Sequence, residues 1–216
     1  MAVVATGNAS TLRSRVRAVE HSNADPVLRL ARLDEVDAID DLMKASTRDI
    51  FPTVYTPEQT ASAIRYVAAV DLMLVRDGTY FVFEVGGELV ACGGWSKRAK
   101  LYSGSGDADG DDRLLDPARE AAHVRAMFTR SDWTRRGLGR RILEACETAA
   151  RAQGFRRLTL GATLPGLPLY EAFGFRATGR EDVMMPDGVT LGCVWMEKPI
   201  DPELLGASAP RERDLA

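Results

Sequence analysis

The chain has 216 residues, 45% hydrophobic and 27% charged, enough to bury one sizeable core with a tail at either end. Its 28 basic and 31 acidic side chains leave a formal charge of -3, which disfavours a protein that binds nucleic acid by neutralising phosphates. No run approaches the roughly 18 to 20 apolar residues of a membrane span, and the opening Met1-Ala-Val-Val-Ala5 is too short for a secretory core, so a cytoplasmic protein with no membrane partner is expected.

Residues 1–25 carry Ala, Ser, Thr, Asn and Arg without periodicity and read as a disordered tail, as do residues 200–216 with their prolines and alternating charge. The folded part, 26–199, opens with a strand over 28–33, after which Asp34 is placed to cap a helix carrying Val36, Ile39, Leu42 and Met43 on one face. Thr56-Pro57-Glu58-Gln59 combines an N-cap, a proline at the first helical position and a capping-box glutamine, predicting a second helix to about Ala69. Two β-rich runs, 79–85 and 88–95, flank Gly86-Gly87 and read as a hairpin. Residues 97–119 contain the polar run from Ser103 to Asp112 and read as a mobile loop.

A strand over 123–129 follows, whose alternation puts His123, Arg125 and Met127 on one face and Val124, Ala126 and Phe128 on the other. A charged Arg125 in a central strand must either reach an acidic partner or face a cleft. A polar turn leads to a helix from Leu138 to about Gln153, striped by Leu138, Ile142, Cys146 and Ala149 and stopped by Gly154. A strand over 155–160, a short helix over 168–173 and a terminal hairpin, 175–185 with 189–196, complete a mixed α/β domain in the order β-α-α-β-β-β-α-β-α-β-β. Cys92, Cys146 and Cys193, odd in number and set among apolar or small neighbours, read as buried thiols in a reducing compartment. With neither C-x-x-C nor H-x-x-x-H present and only His21 and His123 available, no metal is expected.

The segment with chemical content is Trp133-Thr-Arg-Arg-Gly-Leu-Gly-Arg-Arg-Ile142, where a strand ends and a helix begins at once. Unpaired amides and the partial positive charge of a helix N-terminus hold phosphates well, Gly137 and Gly139 let oxygens approach, and Arg135, Arg136, Arg140 and Arg141 add charge. The segment lacks the Gly-Lys-Ser/Thr of a Walker A loop, and Ile142 replaces the third glycine of a dinucleotide fingerprint.

Arg135-Arg-Gly-Leu-Gly139 after a strand, some thirty residues ahead of Leu169-Tyr-Glu-Ala-Phe-Gly-Phe175, resembles the GNAT superfamily of N-acetyltransferases over roughly Val27 to Lys198. The resemblance implies the acyl-CoA N-acyltransferase fold, a mostly antiparallel sheet flanked by helices, and an enzyme that moves acetyl from acetyl-CoA to an amine, small-molecule or protein. It implies a strand splayed from its neighbour at Met127, Phe128 and Thr129 to pair with the pantetheine arm, and a pyrophosphate loop of Arg135, Arg136, Gly137, Leu138, Gly139 and Arg140. Thr134 departs from the family's Gln/Arg at the loop's first position, and Ala162 to Pro168 lacks the asparagine many relatives carry.

Tyr170 occupies the family's general-acid position, its phenol able to protonate the departing thiolate. Glu84 and His123 are the candidate bases, a water chain being the alternative, and Trp95, Arg125, Tyr66 and Tyr80 the candidate acceptor-binding residues. Direct attack is expected, because no cysteine falls in the proposed site beside a histidine. A non-catalytic acyl-CoA-binding sensor or partner module is the rival, an unrelated phosphate-ligand protein a third option, and the edge of the terminal hairpin offers a route to a homodimer.

Overall fold

In the computed structural model, which describes residues 24–99 and 113–200, twelve main elements follow one another: β1 (Val27–Leu30), α1 (Val36–Ile50), α2 (Pro57–Tyr66), α3 (Leu72–Arg76), β2 (Tyr80–Val85), β3 (Glu88–Ser96), β4 (Ala122–Thr129), α4 (Leu138–Ala152), β5 (Arg157–Thr163), α5 (Leu167–Phe173), β6 (Arg176–Met184) and β7 (Thr190–Pro199). The expected tails, apart from Ala24, Asp25 and Ile200, and the centre of the expected 97–119 loop lie outside the described residues. The flanks of that loop are described and paired: Arg98 bridges Leu114, Leu115 N–H donates to the Lys97 carbonyl, and Leu115 is buried.

Local chemistry accounts for most of these boundaries. Gly86 and Gly87 take φ of 58° and 87°, the backbone of a two-residue hairpin turn joining β2 to β3. Thr56 and Gln59 form the expected capping box, each side chain accepting the other's amide N–H. Helix α2 stops at Tyr66, however, and a further short helix, α3, starts where Asp71 Oδ1 accepts from Met73 N–H. Asp34 does not cap α1: a 3₁₀ turn over Leu33–Glu35 intervenes, and the buried Glu35 carboxylate is held by Arg29 and Arg32 at 2.9 and 3.0 Å.

The strands form one seven-stranded sheet in the order β1-β2-β3-β4-β5-β7-β6, antiparallel except for the central β4–β5 pair. Helices α4 and α5 cover one face through Leu138, Ile142, Leu143, Cys146, Ala150 and Tyr170, packed on Phe83, Trp95, Leu158 and Met196. Ala149 is only half-buried, and Leu143 and Ala150 take the core contacts expected of it. On the other face α1 and α3 cover Tyr80, Val82 and Cys92 with Ile39, Leu42, Met43 and Leu74. A third cluster, Phe51, Tyr55, Ala63 and Leu191, ties the α1–α2 region to β7.

The strict alternation expected along β4 is interrupted. Gly94 pairs with Arg125 and Cys92 with Phe128, so Ala126 and Met127 together face Gly93, and Ala126 sits at φ 52°. This β-bulge puts Val124 and Met127 towards α4 and Arg125, Ala126 and Phe128 towards α1 and α3. The left-handed backbone at a non-glycine residue is supported by Tyr80, whose buried hydroxyl donates to the Ala126 carbonyl at 2.8 Å. Removing that donor in Tyr80→Phe is expected to cost about 1 to 2 kcal/mol, a drop in Tm of roughly 3 to 6 °C. An unchanged thermal melt would show that the bulge stands without it.

Candidate active site

Parallel pairing between β4 and β5 is limited to Ala122 with Leu158 and His123 with Thr159. Beyond that point β5 stays paired to β7 through Thr163 while β4 follows β3 and its bulge, so residues 124–129 and 160–163 face each other across a widening gap. A cavity of about 1030 Å³ occupies it, with Met127, Phe128 and Thr129 along one side and Leu160, Gly161 and Thr163 along the other.

At the wide end the cavity meets the turn into α4. Arg130 anchors this turn through Glu88 and Asp132, Trp133 is buried, and Thr134 Oγ1 donates to the Ser131 carbonyl. The backbone then goes left-handed at Arg135 (φ 61°) and at Gly137 (φ 81°), the N-cap of α4, where no side chain caps the helix. The first-turn amides of α4 therefore have no intrahelical acceptor, and they open beside the cavity, which Gly137, Leu138, Gly139 and Arg140 line. A Cβ at Gly139 would come within 2.9 Å of Leu169 Cδ2, so glycine is what lets α5 pack against the start of α4. Arg135 and Arg140 line the cavity, Arg140 also reaching Glu144, whereas Arg136 stacks over the Trp133 ring at 4.3 Å and Arg141 over Phe83 at 4.6 Å. The geometry is that of an anion cradle built from amides, a helix dipole and two arginines.

Tyr170 projects from α5 into the other side of the cavity, its ring edge-on to Phe175 at 5.9 Å. Burial pushes its phenol well above the usual value, so it stays protonated across the working range. Cys193 also lines the cavity, which the sequence reading had not placed there. Burial, and next the charges of Glu181 and Asp182, push its thiol up to about 11, leaving no thiolate for nucleophilic attack near neutral pH.

The remaining candidates separate. His123 lines the cavity where β4 and β5 part. Glu84 lies on β2 opposite Val27, outside the cavity lining, its carboxylate engaged by Arg29 at 2.6 Å, and is corrected from a candidate base to one end of a surface ion network. Trp95 is fully buried against Phe155, and Tyr80 serves the bulge, so neither can touch an acceptor. Arg125 lines the cavity and pairs with Asp71 at 2.8 Å, the two side chains 8% and 11% exposed, in a buried ion pair joining β4 to the cap of α3. Tyr66 does line the cavity.

Sequence reasoning missed the far wall, where Ile50 and Phe51 at the end of α1 meet Met185, Pro186 and Leu191 of the β6–β7 hairpin. It also missed Tyr55, whose hydroxyl donates to the Gly192 carbonyl at 2.7 Å and accepts from Leu164 N–H at 3.0 Å, tying this wall to the turn before α5.

A family model described as Acetyltransferase (GNAT) family matches residues 37–175, well over half of the chain. Similar solved structures include a GCN5-related N-acetyltransferase from Rhodopseudomonas palustris, 19% identical with a TM-score of 0.62, covering 82% of this chain and 96% of that one. The PaiA N-acetyltransferase of Thermoplasma acidophilum, solved with coenzyme A, is 14% identical with a TM-score of 0.56 over 81% of this chain and 99% of its own. Salmonella typhimurium YncA, solved with its cofactor acetyl-CoA, is 17% identical with a TM-score of 0.55 over 88% and 100%. At these identities the likeness is one of fold. No curated protein matches the chain.

The buried ion pair behind β4 yields a direct test. Asp71→Asn leaves Arg125 without its counter-charge and should lower unfolding free energy by about 3 to 5 kcal/mol in a denaturant titration. A change below about 1 kcal/mol would mean that the pair behaves as an exposed one.

Proposed function

We propose that this chain, which belongs to the acetyltransferase (GNAT) family, transfers acetyl from acetyl-CoA to an amine by direct attack, with Tyr170 as general acid. The observation that carries the proposal is the parting of β4 from β5 at His123, which opens a cavity running from the uncapped start of α4 to Tyr170. The amides of Gly137 to Arg140, with Arg135 and Arg140, take the pyrophosphate. Main-chain groups of Met127, Phe128 and Thr129 on the side away from β3 take the pantetheine arm.

Bound acetyl-CoA supplies a thioester whose C–S bond breaks as the amine nitrogen forms the new C–N bond. Tyr170 Oη holds the proton that the departing sulfur needs. The desolvation that raises the phenol also raises the conjugate acid of a thiolate formed beside it, which keeps donor and acceptor matched. The proton lost by nitrogen restores the phenol through water or His123, the cavity-lining group that remains once Glu84 is set aside. We place the activity in the cytoplasm on the same footing, since three separate buried thiols suit a reducing compartment.

Tyr170→Phe is expected to lower kcat by about 100-fold or more while the KM for acetyl-CoA changes less than about two-fold, measured by thiol release. Unaltered turnover would remove Tyr170 from the mechanism, and cofactor binding without thiol release for any amine would make the chain a non-catalytic acyl-CoA-binding module. In the wild type, kcat/KM should rise with pH as the amine loses its proton and show no descending limb below about pH 10, because burial raises the phenol's pKa. A descending limb near neutrality would contradict that role.

A further inference from the structure

We infer that the acceptor is a small apolar amine that enters the cavity uncharged, an inference that rests on the acetyl-transfer proposal. Among the described residues lining the cavity there is no aspartate and no glutamate. The ionisable groups that do line it, apart from the phenols and the protonated Cys193 thiol, are cationic or potentially so: Arg135 and Arg140 at the mouth, His123 at the apex, and Arg125, whose charge is met by Asp71.

The acids of β6, the β6–β7 turn and the end of α1 lie outside the cavity lining, although the charges of Glu181 and Asp182 reach Cys193. Asp187 accepts from Ser62 and from Val189 N–H, Glu181 accepts from Trp195 Nε1 at 2.7 Å, and Asp49 accepts from Ser131 at 2.7 Å. An ammonium entering this space would lose water, gain no contact with a carboxylate of the lining and pass the arginines at the mouth, so its neutral form is the one that binds.

The wall itself says what accompanies the nitrogen. Ile50, Tyr66, Met185 and Pro186 present apolar surface from α1, α2 and the β6–β7 hairpin, backed by the buried Phe51 and Leu191. Gln59 donating to the Thr190 carbonyl and Ser62 donating to Asp187 fasten the hairpin to α2, and Tyr55 fastens both to the α5 turn, so the wall is preformed. A bulky apolar group beside the amine buries its surface there.

Basicity then discriminates strongly. Near pH 7.5 about 0.1% of an amine with pKa about 10.4 is neutral, against about 40% of an α-amino group near 7.7, a difference of roughly 300-fold. An amine that arrives neutral needs no carboxylate base, which fits the removal of Glu84 from the site.

The test compares four acceptors by thiol release at about pH 7.5, with a CoA melting titration on the same preparation. L-Phenylalaninamide carries both features, glycinamide lacks the ring, 2-phenylethylamine keeps the ring on a more basic nitrogen, and spermidine is a polycation. L-Phenylalaninamide is expected to exceed each of the others at least ten-fold in kcat/KM, with spermidine lowest and the gap to 2-phenylethylamine closing towards pH 9.5. Acetylation that favours spermidine or glycinamide overturns this inference and leaves acetyl transfer standing. Absence of any CoA-induced shift instead removes the acetyl-transfer proposal, and this inference with it.

Discussion

The site depends on one constraint: after His123, β4 is paired with a neighbouring strand on only one side, although Ser46 Oγ donates to its Thr129 carbonyl. Main-chain polar groups in a sheet interior do not go unpaired without cost, so the gap demands a partner that is not a strand. Two commitments keep it open. β5 is paired along its length to β7, and β4 is bent at the Ala126 bulge, whose carbonyl is held by Tyr80. Arg125, which faces away from α4 by regular alternation with Val124 just ahead of that bulge, is locked to Asp71 behind the strand.

The start of α4 and the position of α5 follow from the same divergence. Helix α4 crosses β3 and β4 with its apolar face, so its uncapped first turn opens where β4 leaves β5. Gly139 brings α5 close, and α5 sets Tyr170 across the cavity from Met127. Within one cavity a cationic mouth suited to phosphates leads to a buried phenol and an apolar wall. Burial sets the protonation of two residues that line the cavity: it keeps the Tyr170 proton in place and keeps the Cys193 sulfur from becoming a thiolate.

Much of this was legible in the chain. The capping box at Thr56, the hairpin at Gly86-Gly87 and the glycine–arginine turn before Leu138 are local signals, and local structure honours them. The motif from Arg135 to Phe175 carried the family, and with it the fold. What failed depended on tertiary partners. Period-two alternation could not foresee the bulge, because a bulge is fixed by the glycine-paired opposite strand and by Tyr80 from β2. Trp95 and Tyr80 have the chemistry of cleft residues, but burial claims them for the core, while Arg125 lines the cavity as half of an ion pair with Asp71. Glu84 was placed by residue type alone, and its position on β2 beside the edge strand β1 gives it to Arg29. The far wall was invisible because Phe51 and Met185 meet only once the sheet has brought β7 beside α2.

The most direct measurement of the central claim is amide hydrogen exchange with and without acetyl-CoA. Binding in the gap should slow exchange in the segment from Met127 to Thr129 and from Gly137 to Arg140, while the β2–β3 hairpin turn stays unchanged. Slowing confined to other segments, or none at saturating acetyl-CoA, would contradict the assignment of this cavity as the acyl-donor site.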